Sequence, residues 1–129
     1  MRLAYVDTSC LVAIAAKERG SEAVARDLSR FERLFSSNLL EAELRAVLRR
    51  EEIAEDPAPL LDAITWVYPD RRLTSEFQLI LDLGHLRGAD LWHIACALYI
   101  AADRPADLAF FTLDRGQRKL ASSLGFQIA

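Results

Sequence analysis

Four acidic residues are the part of this sequence best suited to chemistry, and they are Asp7, Glu43, Asp90 and Asp114. Each is predicted to lie where a strand ends or a helix begins. Because such points share one edge of an open α/β sheet, residues that are remote in sequence can meet there. Carboxylate oxygens with water suit Mg²⁺ or Mn²⁺ better than zinc. The four residues therefore predict an oxygen-only site for a hard divalent cation.

Each of these carboxylates also has an ordinary structural interpretation. Asp7, Asp90 and Asp114 are predicted helix N-caps, a position where aspartate is common, and Gln117 follows Asp114 at the spacing of a capping box. Glu43 fits this interpretation less well, because helical spacing projects it beside the apolar stripe of its helix. A carboxylate there is costly unless it is paired or binds a cation. Convergence of all four would raise some of their pKa values unless a divalent ion neutralised them.

Strands and helices are predicted to alternate along the chain. Strands are predicted at residues 3–6, 34–36, 67–68, 108–112 and 126–128. Helices are predicted at residues 9–16, from residue 21, and at 38–51, 59–66, 74–83, 90–102 and 114–123. Pro59 suits a first helical turn, and Gly84 suits a helix end. This order favours an α/β fold with a central parallel sheet of four to five strands, flanked by helices on both faces.

The size of the chain favours one domain over residues 1–129, because 129 residues with 52% hydrophobic content can build a sizeable core. The apolar runs are too short to cross a bilayer, and no signal-peptide pattern opens the sequence. We therefore expect a soluble, cytoplasmic protein. The net charge of −3 argues against indiscriminate nucleic-acid binding through a basic surface.

Two cysteines, Cys10 and Cys96, fall within apolar helical patterns. They are too few and too far apart for a zinc motif, and a small buried thiol packs well in such a pattern. We expect both to be reduced core residues, with a disulfide between them as the alternative.

Four sequence blocks around the acidic residues together resemble PIN-domain ribonucleases. The blocks are YVDTS at residues 5–9, ELRAVL at 43–48, DLWHIACAL at 90–98 and FTLD at 111–114. Their order, spacing and small size are most similar to the VapC-type toxins of type II toxin–antitoxin pairs. The resemblance spans residues 5 to about 121, and the ordered set carries it rather than any single block.

The resemblance implies a Mg²⁺- or Mn²⁺-dependent endoribonuclease that leaves a 5′-phosphate and a 3′-hydroxyl. Asp7, Glu43, Asp90 and Asp114 match the family's metal-binding and catalytic positions. Asp7 and Asp90 would hold the principal ion, Glu43 would bind it directly or through water, and Asp114 would complete the site or recruit a second ion. The resemblance also implies a cognate antitoxin that covers the groove, a homodimer, and no association with membranes.

Several further positions match the family pattern or depart from it. Thr8, Ser9 and Thr112 match small hydroxyl positions that could orient carboxylates, waters or phosphate, with turn or cap chemistry as the alternative. His93 matches a frequent family histidine, for which we favour structural hydrogen bonding over general-base catalysis. Trp92 departs from the small residue of many relatives. Core packing is favoured for it over a surface that contacts substrate or partner.

Five arginines near the predicted edge are candidates for contacts with the RNA backbone. They are Arg45, Arg49, Arg87, Arg115 and Arg118. Solvated helix positions and ion pairs remain the alternative for most of them.

Two other functions compete with the ribonuclease interpretation. A phosphoryl-transfer domain fits poorly, because the haloacid-dehalogenase motif needs an aspartate two residues after the first, where this chain has Ser9. A response-regulator receiver fits poorly as well, since Asp56 is followed by a proline and preceded by charged helix. A non-catalytic PIN-like scaffold that binds RNA or protein is the remaining alternative. Lost acidic residues would mark such a scaffold, and this chain has all four.

Overall fold

The computed structural model describes residues 2–128, and its centre is a parallel sheet of five strands. The strands are β1 (Leu3–Val6), β2 (Arg33–Ser37), β3 (Ile64–Val67), β4 (Ala109–Phe111) and β5 (Gln127–Ile128). They lie in the order β3-β2-β1-β4-β5, and every neighbouring pair is parallel. The prediction of a parallel sheet of four to five strands is confirmed. Since β1 is central, the residue after it emerges in the middle of the carboxyl edge.

Helices connect the strands and cover both faces of the sheet. They are α1 (Thr8–Ala15), α2 (Ser21–Leu28), α3 (Leu39–Arg50), α4 (Ala58–Leu61), α5 (Thr74–Leu83), α6 (Gly88–Ala101) and α7 (Arg115–Ser123), and a 3₁₀ turn (Pro105–Asp107) precedes β4. Between residues 2 and 128, none of these helices has the length and apolar character that crossing a membrane requires.

Two hydrophobic cores lie on opposite faces of the sheet, because successive side chains of a strand alternate between its faces. Tyr5 and Phe110 belong to the core beneath α5, α6 and α7, where their rings stack with 5.6 Å between centroids. Val6 and Phe111 belong to the other core, beneath α1 and α3. Burial of an apolar side chain of this size contributes about 1.5–3 kcal/mol to the free energy of unfolding.

The two cysteines lie in different cores, Cys10 on one face of the sheet and Cys96 on the other. Both are buried free thiols, which confirms the prediction of reduced core residues. The intervening sheet excludes the alternative disulfide, because a disulfide needs a Cα–Cα separation below about 7 Å. Burial raises the pKa of the Cys96 thiol to about 12, so this thiol stays protonated.

The predicted helix at residues 59–66 is wrong. The helix α4 ends at Leu61. Strand β3 comprises Ile64, Thr65, Trp66 and Val67, so it begins three residues before the strand predicted at residues 67–68. All four are β-branched or aromatic residues, which pack well on a pleated surface. Pairing with β2 and burial of Ile64 and Val67 therefore outweigh the helix-start signal of the preceding proline.

Helix α3 is one residue shorter at each end than the helix predicted at residues 38–51. Asn38 occupies the N-cap position, but its side chain makes no capping hydrogen bond. The hydroxyl of Ser37 accepts from the backbone N–H of Leu39 at 3.1 Å instead. The end of β2 is thus tied directly to the helix that carries Glu43.

Candidate active site

A cleft of about 380 Å³ opens at the carboxyl edge of the sheet, beside the ends of β1 and β4. All four acidic residues line it. Asp7 follows β1, Glu43 lies on α3, Asp90 lies in the first turn of α6, and Asp114 precedes α7. The fold therefore brings together carboxylates from four separate segments of the chain.

Helix capping explains only one of the three aspartates. Oδ1 of Asp114 accepts from the backbone N–H of Gly116 at 3.1 Å, as an N-cap should. Asp7 occupies the N-cap position of α1, but its side chain makes no capping bond. The N-cap of α6 is Arg87, so the predicted cap at Asp90 is wrong. Asp7 and Asp90 thus present their carboxylates at this edge without serving as helix caps.

Asp7 is the most buried of the four acids, with 4% of its surface exposed. The hydroxyl of Ser9 donates to its Oδ1 at 2.6 Å and accepts from the backbone N–H of Leu113 at 3.0 Å. Burial raises the pKa of Asp7 from 3.8 to about 6, although the hydrogen bond from Ser9 opposes this rise. Ionised Asp7 is therefore under-solvated, which favours a nearby positive charge.

Glu43 is held by two donors on one of its oxygens. Its Oε1 accepts from Oγ1 of Thr8 at 2.7 Å and from Nε2 of His93 at 2.8 Å. Burial raises the pKa of the Glu43 carboxyl, but the hydrogen bonds from His93 and Thr8 outweigh it, so the pKa falls below its ordinary value. Glu43 is therefore an ionised carboxylate with a fixed orientation.

Burial and the other acidic residues of the cleft affect the pKa of Asp90. Burial raises its pKa, and the negative charges of Asp114 and Glu43 raise it further, while the nearby His93 ring and the positive charge of Arg87 oppose the rise. Repulsion of this kind requires carboxylates close enough to share one local field. A cation between them would relieve it.

Gln117 connects the segments that carry Asp90 and Asp114. This fully buried side chain accepts at Oε1 from the hydroxyl of Thr112 at 2.9 Å, and it donates from Nε2 to the backbone carbonyl of Asp90 at 3.3 Å. Oγ1 of Thr112 in turn accepts from the backbone N–H of Asp114 at 3.0 Å. The predicted capping box is therefore wrong, because the side-chain oxygen and nitrogen of Gln117 bind Thr112 and Asp90 and not the N-cap residue Asp114.

His93 and Trp92 occupy different surroundings on α6. His93 is 1% exposed, and its ring nitrogens contact Glu43, Thr8 and the hydroxyl of Tyr5. Trp92 is half-buried against the core beneath α5 to α7, and its Nε1 donates to the hydroxyl of Ser37 at 2.7 Å. Trp92 thus combines core packing with one polar contact.

Two further polar residues were not among the sequence candidates: Glu18, which lines the cleft, and Tyr5, which contacts His93. Glu18 adds a fifth carboxylate to the lining of the cleft. Just after helix α1, Lys17 adopts the left-handed conformation, at φ 53°, and the N–H of Glu18 donates to the carbonyl of Ala13 at 2.9 Å. Such an ending usually carries glycine or asparagine, so the lysine gave no signal of this turn. Tyr5 was predicted as a buried strand residue, without a polar role.

The five predicted RNA-contacting arginines all lie outside the lining of the cleft. Arg45 pairs with Glu41 at 2.7 Å on the exposed side of α3, and Arg49 lies in the last turn of that helix. Nη2 of Arg118 donates to the carbonyl of Thr112 at 2.9 Å.

The other two arginines lie at helix starts that face this edge. Arg87 precedes α6, and Arg115 opens α7. Both are exposed side chains close in sequence to a cleft aspartate. Of the five arginines, these two are the best placed to meet a ligand that enters the cleft.

The donor chemistry of the cleft fits a hard divalent cation that keeps part of its water. Throughout residues 2–128, no three His, Cys, Asp or Glu side chains form a group that could hold a metal ion. Mg²⁺ usually retains several waters and is bound by one or two carboxylates plus substrate phosphate. A volume of about 380 Å³ leaves room for such waters, since each occupies roughly 30 Å³. The site is therefore an open carboxylate cleft and not a closed metal cage.

A larger groove, of about 710 Å³, lies between the end of α1 and α2. Its charged lining mixes both signs, with Lys17, Arg19 and Arg26 beside Glu18 and Glu22. It lacks the converging carboxylates of the smaller cleft. Chemistry, and not volume, therefore identifies the candidate site.

Comparison with known protein families gives a match over most of the chain. The family model described as PIN domain matches residues 4–122, a range that includes all four acidic residues of the cleft. No curated protein matches the sequence.

Proposed function

The chain belongs to the PIN-domain family, and from that premise we propose that it is a divalent-metal-dependent endoribonuclease that hydrolyses RNA phosphodiester bonds. The PIN domain is generally a nuclease fold, and its members typically depend on a metal and bind RNA. The observation that carries the proposal is the single cleft lined by Asp7, Glu43, Asp90 and Asp114.

Asp7 and Asp90 would hold the principal Mg²⁺ or Mn²⁺ ion, Glu43 would bind it directly or through water, and Asp114 would complete the site or recruit a second ion. The oxygen–hydrogen and nitrogen–hydrogen donors that hold Asp7, Glu43 and Asp114 all fall on one oxygen of each carboxylate. This leaves the second oxygen of each to bind a cation. A bound divalent ion polarises the phosphate, activates water and stabilises the leaving oxygen.

The protein's own contribution is to fix the ligands and attract the phosphate. Ser9 and Thr8 hold the carboxylates of Asp7 and Glu43 through short hydrogen bonds. The N-termini of α6 and α7 begin beside the cleft, where their partial positive charge favours an anionic phosphate. No side chain is required as the nucleophile, because water fills that role.

The ordered acidic blocks support a finer assignment, the toxin of a VapC-type toxin–antitoxin pair that acts on cytoplasmic RNA. A cognate antitoxin would bind over the cleft and exclude RNA. Leu113 lies on the cleft lining with 41% of its surface exposed, and it offers such a partner an apolar contact beside Asp114. The homodimer implied by the family resemblance belongs to the same proposal, and α5 exposes Leu79, Leu81 and Leu83.

A non-catalytic PIN-like scaffold that binds RNA or protein is the second candidate. The lack of a ready-made metal-holding group among residues 2–128 favours it. Four acidic residues in one cleft favour catalysis, because an inactive scaffold has no need to keep mutually repelling carboxylates together.

Induced expression followed by mapping of RNA ends tests the proposal, with wild type compared to Asp7→Asn. The matched control is Asp82→Asn, which changes an exposed aspartate of α5 outside the cleft lining. Wild type and the control should arrest growth and produce discrete RNA ends with 5′-phosphates, and Asp7→Asn should do neither. Cuts that persist in Asp7→Asn would contradict the metal-site assignment. Failure of purified wild type, free of antitoxin, to cut RNA with Mn²⁺ would favour the scaffold.

A further inference from the structure

A chain of hydrogen bonds runs from the central strand β1 to the cleft through Tyr5, His93 and Glu43. The hydroxyl of Tyr5 lies 2.7 Å from Nδ1 of His93, and Nε2 of the same ring lies 2.8 Å from Oε1 of Glu43. Tyr5 is fully buried and His93 is 1% exposed. Tyr5 does not line the cleft, so any influence on the site passes through His93.

The partners of Nε2 determine where the neutral imidazole carries its proton. Oε1 of Glu43 belongs to a carboxylate, which can only accept. Oγ1 of Thr8, 3.3 Å from Nε2, already donates its hydrogen to the same Oε1 at 2.7 Å. Since neither neighbour has a hydrogen to give, Nε2 must be the donor.

The partners of the Tyr5 hydroxyl complete the assignment. This oxygen accepts from the backbone N–H of Ser37 at 3.1 Å, so its own hydrogen is available for Nδ1 of His93. With Nδ1 as acceptor and Nε2 as donor, every polar atom in the series of hydrogen bonds from Tyr5 to Glu43 has a partner. Among residues 2–128, no buried side-chain nitrogen or oxygen lacks a hydrogen-bond partner.

We propose that Tyr5 is a positioning residue of the active site, which holds His93 in the tautomer protonated at Nε2 and thereby orients Glu43. His93 then donates to Oε1 of Glu43 and leaves Oε2 for the cation. This inference rests on the proposed function, because it treats Glu43 as a metal ligand. Hydrogen-bond partners of metal ligands typically change metal affinity or activity by 10- to 100-fold when they are removed.

The packing of the Tyr5 ring explains why a single hydroxyl can hold His93 in one orientation. Its ring lies against Phe110, with an interplanar angle of 7°, and meets the ring of His93 edge-on at 5.8 Å. The phenol is therefore fixed by packing, so its hydroxyl does not follow movements of the imidazole. The same packing should tolerate Tyr5→Phe, which removes only the oxygen.

The histidine tautomer can be read directly in metal-free wild-type protein by NMR of ¹⁵N-labelled histidine. The chain has two histidines, and exposed His85 serves as the internal reference for buried His93. We expect His93 to show a protonated Nε2 and an unprotonated Nδ1. A proton on Nδ1 of His93 would overturn the proposal whatever the activity of the protein.

A second experiment compares Mn²⁺ affinity and cleavage kinetics for Tyr5→Phe and the control Tyr99→Phe. The hydroxyl of Tyr99 donates to Asp70 at 2.8 Å, outside the lining of the cleft. We expect Mn²⁺ affinity and kcat to fall about 10- to 100-fold in Tyr5→Phe with little change in KM, and to stay at wild-type values in Tyr99→Phe. Wild-type affinity in a folded Tyr5→Phe would overturn the proposal.

One outcome separates this inference from the proposed function, and a second pair of variants covers the case in which Tyr5→Phe does not fold. If wild type binds no Mn²⁺ at all, the proposed metal site fails, while the tautomer of His93 still tests the hydrogen-bond chain. If Tyr5→Phe does not fold, His93→Gln and His93→Leu replace it, because the glutamine amide can supply a donor near the position of Nε2. Tighter Mn²⁺ binding by His93→Gln than by His93→Leu supports the proposal, and equal binding overturns it.

Discussion

Gln117 on α7 donates to the backbone carbonyl of Asp90 on α6, with 3.3 Å between Nε2 and the carbonyl oxygen. The other end of its amide accepts from Thr112, whose hydroxyl also accepts from the backbone N–H of Asp114. One fully buried side chain thus fixes the relative placement of two cleft carboxylates without contacting either of them.

Replacing Gln117 with methionine should weaken both the fold and the site. Methionine has a similar volume but makes neither hydrogen bond, so the Asp90 carbonyl and the Thr112 hydroxyl each lose a partner. We expect the free energy of unfolding to fall by about 1–3 kcal/mol. RNA cleavage should fall as well, because α6 and α7 can shift relative to each other.

Urea unfolding and single-turnover cleavage measure these two effects. Gln78→Met is the matched control, since Gln78 is exposed on α5. Unchanged stability and cleavage in Gln117→Met would show that the buried amide does not position the acidic residues.

Asp7 should make the metal-free protein less stable as the pH rises. Its pKa is about 6 in the folded protein, against an ordinary value of 3.8, because burial disfavours the charged form. Between these two values the folded state keeps a proton that the unfolded state has lost, so the free energy of unfolding falls with rising pH. The shift of about two units corresponds to about 3 kcal/mol, present below the lower pKa and lost once the pH passes the higher one.

Urea unfolding in chelator from about pH 4 to about pH 7 tests this dependence, with wild type compared to Asp7→Asn. Asparagine cannot ionise, so the variant should gain stability relative to wild type by about 3 kcal/mol across that range while it loses cleavage activity. Added Mg²⁺ should then stabilise wild type more than the variant, since a ligand that binds the folded state raises its stability. A stability difference that does not change with pH would contradict the burial argument.

The two roles of Asp114 should separate on substitution. Asparagine caps a helix about as well as aspartate, so Asp114→Asn should keep the bond to Gly116 and change the free energy of unfolding by less than about 0.5 kcal/mol. Loss of the charge should still reduce cleavage. Asp114→Ala should reduce cleavage too, and should also cost about 1 kcal/mol of stability because the cap is lost. Full cleavage by Asp114→Asn would limit Asp114 to the capping role.

The arginines at the carboxyl edge should differ in their effect on RNA binding. Arg115 opens α7 as an exposed side chain, so Arg115→Ala should lower the slope of log affinity against log salt by about 0.7, the value for one lost phosphate contact on a single strand. Arg45 pairs with Glu41 on the exposed side of α3, so Arg45→Ala should leave the slope unchanged. Binding is measured with Ca²⁺ in place of Mg²⁺ to suppress cleavage. A slope unaltered by Arg115→Ala would remove this arginine from the RNA-binding surface.

Local patterns in the sequence were sufficient to predict most of the architecture. The strand at residues 3–6 and the helix at 74–83 are confirmed with the predicted boundaries, since each combines a clear apolar pattern with a turn signal at its end. The parallel order follows from alternating strands and helices, and it places the segment ends at one edge. That geometry is why the sequence alone points to these four acidic residues.

Contacts between distant segments were beyond such patterns. The predicted helix at residues 59–66 failed because pairing with β2 decides the conformation of residues 64–67. Gln117 fits a local capping box and Tyr5 fits an ordinary buried strand residue, yet both form hydrogen bonds to α6. These partners lie 27 and 88 positions away in sequence, so no local spacing could indicate them.

The most direct test of the convergent carboxylate site is a Mn²⁺ titration of the purified protein, in which electron paramagnetic resonance measures the free Mn²⁺. Wild type and the exposed-site control Asp82→Asn should bind Mn²⁺ with the same affinity. Asp90→Asn should bind at least about tenfold more weakly, since it removes one of the two proposed principal ligands. Equal Mn²⁺ affinity in wild type and Asp90→Asn would contradict the shared metal site.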